Sequence, residues 1–108
     1  MTDKIKDNDL NKVSGGTGEF NSIIEDINNI KQKFINQCHS IQSDSYYERI
    51  INHFDECAKQ LSANNAAGAK SHLSSITATL RSLVSTYPGL EPSFTKIIKL
   101  INDIAVTL

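Results

Sequence analysis

The side chains of this chain that can act as nucleophiles or metal ligands include two cysteines and three histidines. His53 and Cys57 are four residues apart and therefore share one face of a helix. Cys38 and His39 form a second pair of thiol and imidazole. Structural zinc sites usually need four well-placed ligands, and no pair here has the spacing of a zinc finger. We therefore interpret both cysteines as small buried hydrophobes and predict neither a metal site nor a cofactor.

The sequence gives no indication of catalysis. It contains neither a GxSxG nucleophile motif nor a glycine-rich phosphate loop after a strand. A disulfide between Cys38 and Cys57 is also not expected. In a helical hairpin that turns near residue 44, their axial positions would differ by roughly 10 Å, which exceeds the Cα separation of a disulfide. We predict that the chain is not an enzyme.

Three of the five glycines fall within four positions, at Gly15, Gly16 and Gly18. Because glycine has no Cβ, a Gly-Gly pair can enter a narrow cleft and adopt backbone angles that other residues resist. Composition also changes from polar to periodically apolar here. We predict a boundary between a segment 1–16 and a domain 17–108.

Residues 3–14 can form one short helix with a small apolar face. At about 100° per residue, Ile5, Val13 and Leu10 fall at roughly 0°, 80° and 140°, with Asp9 among them. A helix of this length is marginal alone in water. We expect it to be flexible and to become ordered when its apolar face binds a groove on a partner.

This segment resembles the double-glycine leaders of bacteriocin-type precursors. Counted back from the cut, those leaders have apolar residues at the fourth, seventh and twelfth positions, often an acidic residue at the eighth, and Gly-Gly or Gly-Ala at the end. With Gly16 counted as the first, the apolar positions are Val13, Leu10 and Ile5. Asp9 stands at the acidic position, where glutamate is the usual residue. The resemblance covers residues 1–16 only.

The resemblance implies a partner and a reaction. The partner is a peptidase-containing ABC transporter, whose papain-like cysteine peptidase domain cuts after the second glycine. The cut would fall between Gly16 and Thr17. The precursor would be cytoplasmic, and residues 17–108 would be secreted as a bacteriocin-like toxin or a signalling protein.

Beyond Phe20, apolar residues recur at three- and four-residue spacing, which predicts amphipathic helices and no sheet. The predicted helices cover residues 19–42, 46–62 and 66–86, and a fourth begins near residue 92. Ser45 and Glu48 fit a capping box before the second helix. Asn64-Asn65 and Tyr87-Pro88-Gly89 mark the next breaks. The sequence therefore predicts an all-α fold, in which an antiparallel bundle of about four helices follows the leader.

The charge balance gives no sign of a nucleic-acid partner. The formal net charge is −1, and residues 17–108 contain 8 basic and 9 acidic side chains. No apolar run approaches the roughly 18 residues that span a bilayer, and residues 1–18 lack the apolar region of a secretory signal. The fourth helix, with Lys96 and Lys99 in an apolar segment, is the part of the released cargo that could contact a membrane.

A second function stays open at this point. A cytoplasmic interaction protein, such as the helical-bundle immunity proteins of bacteriocin producers, has a similar size and helix content. The leader does not fit that alternative, because immunity proteins stay inside the cell. Cleavage at Gly15-Gly16 by a peptidase domain distinguishes the two functions.

Overall fold

The computed structural model describes residues 20–108. They form four α-helices: α1 Asn21–Gln37, α2 Ser45–Ser62, α3 Ala66–Thr86 and α4 Glu91–Ala105. Short 3₁₀ helices, His39–Ile41 and Pro88–Leu90, lie in the first and last connections. No strand is present in these residues. The predicted all-α fold with four helices in a bundle is confirmed.

Every α-helix buries one apolar face in a single core, as the spacing of the apolar residues predicted. The three largest buried side chains are Phe34, Phe54 and Phe94, each at most 1% exposed. Phe34 stacks on Tyr47 with 5.1 Å between ring centroids, and its centroid lies 6.3 Å from that of Phe54. Burial of this apolar surface is the main favourable contribution to folding.

The first helix ends earlier than predicted. α1 stops at Gln37, and the chain continues through Cys38 into a 3₁₀ turn. The backbone N–H of Ile41 donates to the carbonyl of Cys38 at 3.1 Å, a tighter winding than that of an α-helix. This turn still buries Cys38 and Ile41, and their three-residue spacing is also that of a helix face. The sequence therefore predicted that α1 continues through them.

The predicted capping box at Ser45 and Glu48 is wrong. Ser45 is already the first residue of α2, and Asp44 is the N-cap. The Asp44 carboxylate accepts the N–H of Tyr46 at 2.8 Å and the hydroxyl of Tyr87, from the α3–α4 connection, at 2.6 Å. The Tyr87 hydroxyl and the Tyr46 N–H lower the pKa of Asp44, and the Asp44 carboxylate raises the pKa of Tyr87. One carboxylate thus caps α2 and joins two connections at the same end of the bundle.

The break between α2 and α3 forms where the two asparagines predicted it. Asn64 has a φ of 64°, a left-handed conformation that asparagine tolerates better than most residues. Asn65 caps α3, and its side-chain oxygen accepts the N–H of Gly68 at 3.0 Å. A Cβ on Gly68 would lie 2.7 Å from the Asn65 side-chain nitrogen. The glycine therefore leaves room for the cap.

We expect Phe34→Ala to destabilise the bundle by about 3–5 kcal/mol, because it removes a fully buried ring and leaves a cavity. Urea unfolding followed by far-UV circular dichroism measures the loss. Val106→Ala is the control, since Val106 is 82% exposed and its truncation should change the free energy of unfolding by about 0.5 kcal/mol or less. Equal losses in both variants would show that Phe34 is not a core residue.

Candidate functional site

The residues predicted for recognition and cleavage lie outside the described residues. They are Ile5, Asp9, Leu10, Val13, Gly15, Gly16 and Thr17. The described chain begins at Phe20, which is partly buried and packs against the core just before α1. Chemistry within the described residues must therefore be sought in the bundle.

The apolar face of α4 belongs to the core. Phe94, Ile97 and Ile101 are at most 1% exposed. Lys96 is exposed, and the Lys99 ammonium donates to the Asp103 carboxylate at 3.2 Å. Among residues 20–108, no helix combines the length and the apolar character needed to cross a membrane. In this fold, α4 uses its apolar face to close the bundle.

The two cysteines are free and fully buried, so the prediction that they pack as small hydrophobes is confirmed. Burial raises the pKa of the Cys38 thiol to about 11 and that of Cys57 to about 12. The Cys57 thiol donates to the carbonyl of Ala69 at 3.4 Å. Because a thiolate is the reactive form of cysteine, neither side chain is activated as a nucleophile.

A histidine pair joins α2 to α3. The Nδ1 atoms of His53 and His72 lie 3.0 Å apart, and the ring centroids are separated by 5.2 Å. At this distance one ring donates its Nδ1–H to the free Nδ1 lone pair of the other. Burial, the neighbouring His72 and the Arg49 guanidinium together lower the pKa of His53. Both histidines are half-buried, and their Nδ1 atoms are partners in one hydrogen bond.

The cysteines and histidines weighed in the sequence do not come together as one group. His39 is exposed in the α1–α2 connection, whereas His53 contacts His72 on α3. Within residues 20–108, no three or more histidine, cysteine, aspartate or glutamate side chains are arranged to hold a metal ion.

Sequence reasoning missed His72, although the helical hairpin contains the signal. The Cys57–Ala69 contact joins residues that are six positions before and six positions after Ala63. His53 is ten positions before Ala63 and His72 is nine after it. Residues at mirrored positions around the turn of an antiparallel hairpin lie at the same level, so the two histidines fall at nearly the same level.

Comparison with known proteins does not indicate a function, so a function must be inferred from the residues of this chain. The chain has no match among protein-family models, curated protein sequences or solved structures.

We expect the bundle to lose stability as the pH falls below about 6.5, the pKa of an unperturbed histidine. The pKa of His53 is lower in the folded chain, so the unfolded chain binds more protons in this range. The stability is therefore fully present above that pH and decreases as the pH falls through the folded pKa. Urea unfolding at several pH values measures the slope.

Two variants distinguish the contribution of the histidine pair to this pH dependence from that of the third histidine, His39. His53→Gln should flatten the dependence of the free energy of unfolding on pH, because it removes the group whose pKa is lowered. His39→Gln leaves the pair intact and should keep the dependence. A slope in His53→Gln as steep as that of the unchanged protein would contradict the role of the pair.

Proposed function

We propose that this chain is the precursor of a small secreted helical protein. A peptidase-containing ABC transporter recognises residues 1–16, cuts after Gly16 and exports residues 17–108. The observation that carries the proposal is the register of one set of residues against Gly15-Gly16: Ile5, Asp9, Leu10 and Val13. A Gly-Gly pair alone is common, whereas a full set of matched positions is far more specific.

The position of the core residues in the sequence supports a separable leader. Buried apolar residues from all four helices form one cluster, and among residues 20–108 the first of them is Ile27. Phe20 and Ile23 pack against that cluster from the start of the described chain. A cut between residues 16 and 17 removes none of these residues, so the exported part would keep the core that folds it.

Recognition and cleavage would use different parts of the leader. Leu10 and Val13 lie several residues before the cut and would bury apolar surface in a groove of the peptidase domain. Full burial of one such side chain contributes roughly 1.5–3 kcal/mol, or about ten- to a hundredfold in affinity. Gly15-Gly16 would instead let the scissile bond enter the active site of the peptidase. Because glycine has no Cβ atom, the scissile carbonyl can approach the thiolate.

The proposal is tested by incubating the full chain with the peptidase domain of the producing cell's transporter of this class. Mass spectrometry should find one product that consists of residues 17–108. An intact chain after incubation with a peptidase domain that cuts its other substrates would contradict export. That outcome would favour the alternative, a cytoplasmic helical-bundle interaction protein of the immunity type.

Two variants should separate binding from cutting. Leu10→Ala should weaken binding by about ten- to a hundredfold and slow cleavage at low substrate concentration, because apolar burial is lost. Gly16→Val should stop cleavage while binding through the leader survives, since its branched side chain blocks the cleft. Affinity is measured by titration and cleavage by mass spectrometry.

Ser14→Ala is the matched control for these variants, because Ser14 lies between the apolar positions and the glycines and belongs to neither group. It should bind and be cut like the unchanged precursor. If Gly16→Val were cut at the rate of this control, Gly15-Gly16 would be an ordinary linker and the proposal would fail.

A further inference from the structure

The histidine pair has features of a metal site that the proposed export function does not use. Its two nitrogens are held by separate helices whose register is fixed by the α2–α3 hairpin, as the Cys57–Ala69 contact shows. Both histidines are half-buried, so neither is sealed in the core. Neutral imidazole nitrogen is a good ligand for zinc, copper and nickel.

The distance between the nitrogens is short enough for one ion to bind both. With metal–nitrogen bonds of about 2.0–2.1 Å, a separation of 3.0 Å corresponds to an N–metal–N angle of about 90–97°. Neighbouring ligands of a square-planar or tetragonal ion subtend about 90°, the geometry of Cu²⁺ and Ni²⁺.

We propose that His53 and His72 bind one Cu²⁺ or Ni²⁺ ion through their Nδ1 atoms, with water at the remaining positions. The ion would replace the proton that the two rings share and would connect α2 to α3. Cu²⁺ should bind more tightly than Ni²⁺ or Zn²⁺, because the intrinsic affinity of a nitrogen site for divalent ions is highest for Cu²⁺.

The surroundings of the pair define a site with two protein ligands. Cys57 lies one helical turn beyond His53, but its thiol is fully buried and donates to Ala69. Of the charged groups, Arg49 faces His53 from the same helix and opposes a bound cation, while its guanidinium lies 5.1 Å from the ring centroid of Tyr46. We therefore expect weaker binding than at a site with four ligands. Protons should compete, since only the neutral imidazoles bind metal.

The experiment titrates the full chain with CuCl₂, and separately with NiCl₂ and ZnCl₂, at a pH above the pKa of free histidine. We expect one Cu²⁺ per chain, a visible d–d absorption band and a rise in the thermal midpoint. The rise should grow with metal concentration, because the ion binds the folded state. Paramagnetic broadening of NMR signals should be centred on His53 and His72.

Single variants test the assignment. His53→Gln and His72→Gln should each weaken Cu²⁺ binding by more than about tenfold, since loss of even an outer-sphere partner of a metal ligand costs about 10- to 100-fold. His39→Gln, the matched control with both ring nitrogens of the pair intact, should bind like the unchanged protein. Circular dichroism without metal checks that each variant is folded.

Three results would overturn the proposal. They are the absence of binding at one ion per chain, equal Cu²⁺ affinity in all three variants, and paramagnetic broadening centred away from the pair. If a histidine variant were unfolded, the position of the paramagnetic broadening in the unchanged protein would still show whether Cu²⁺ binds at His53 and His72. None of these results depends on cleavage at Gly15-Gly16, so the metal site and the export proposal fail or succeed separately.

Discussion

The register of α2 against α3 is the constraint on which the rest of the bundle depends. The turn around Ala63 brings Cys57 against Ala69, and both side chains are fully buried. Because these residues are small, the helices can approach each other closely at this level. The same register sets His53 opposite His72. α1 then packs on this hairpin through Phe34, which contacts the rings of Tyr47 and Phe54, and α4 closes the remaining side of the core.

Local signals in the sequence were sufficient where one residue determines an element end. α3 begins and ends where predicted, because Asn65 caps its first turn and Pro88 cannot continue a helix. The apolar spacing likewise identified the buried faces of all four helices. These features depend on neighbours within a few positions, which is the range that periodicity and capping rules describe.

Features that depend on distant residues were missed or wrong. Asp44 and Ser45 are adjacent residues that can both cap a helix, and the hydroxyl of Tyr87, 43 positions away, is an additional partner of Asp44. The end of α1 was placed too late because a 3₁₀ turn keeps Ile41 in the core. His72 has no motif around it and becomes notable only when α2 is folded against α3.

We propose that recognition resides in residues 1–16 and folding in the bundle, and transfer of the leader tests this division most directly. Residues 1–18 are fused before an unrelated folded protein, and the fusion is incubated with the peptidase domain that cuts the full precursor. We expect a cut after Gly16 at a rate close to that of the precursor. A fusion that stays intact while the precursor is cut would show that recognition requires the helical bundle, which would contradict recognition by residues 1–16 alone.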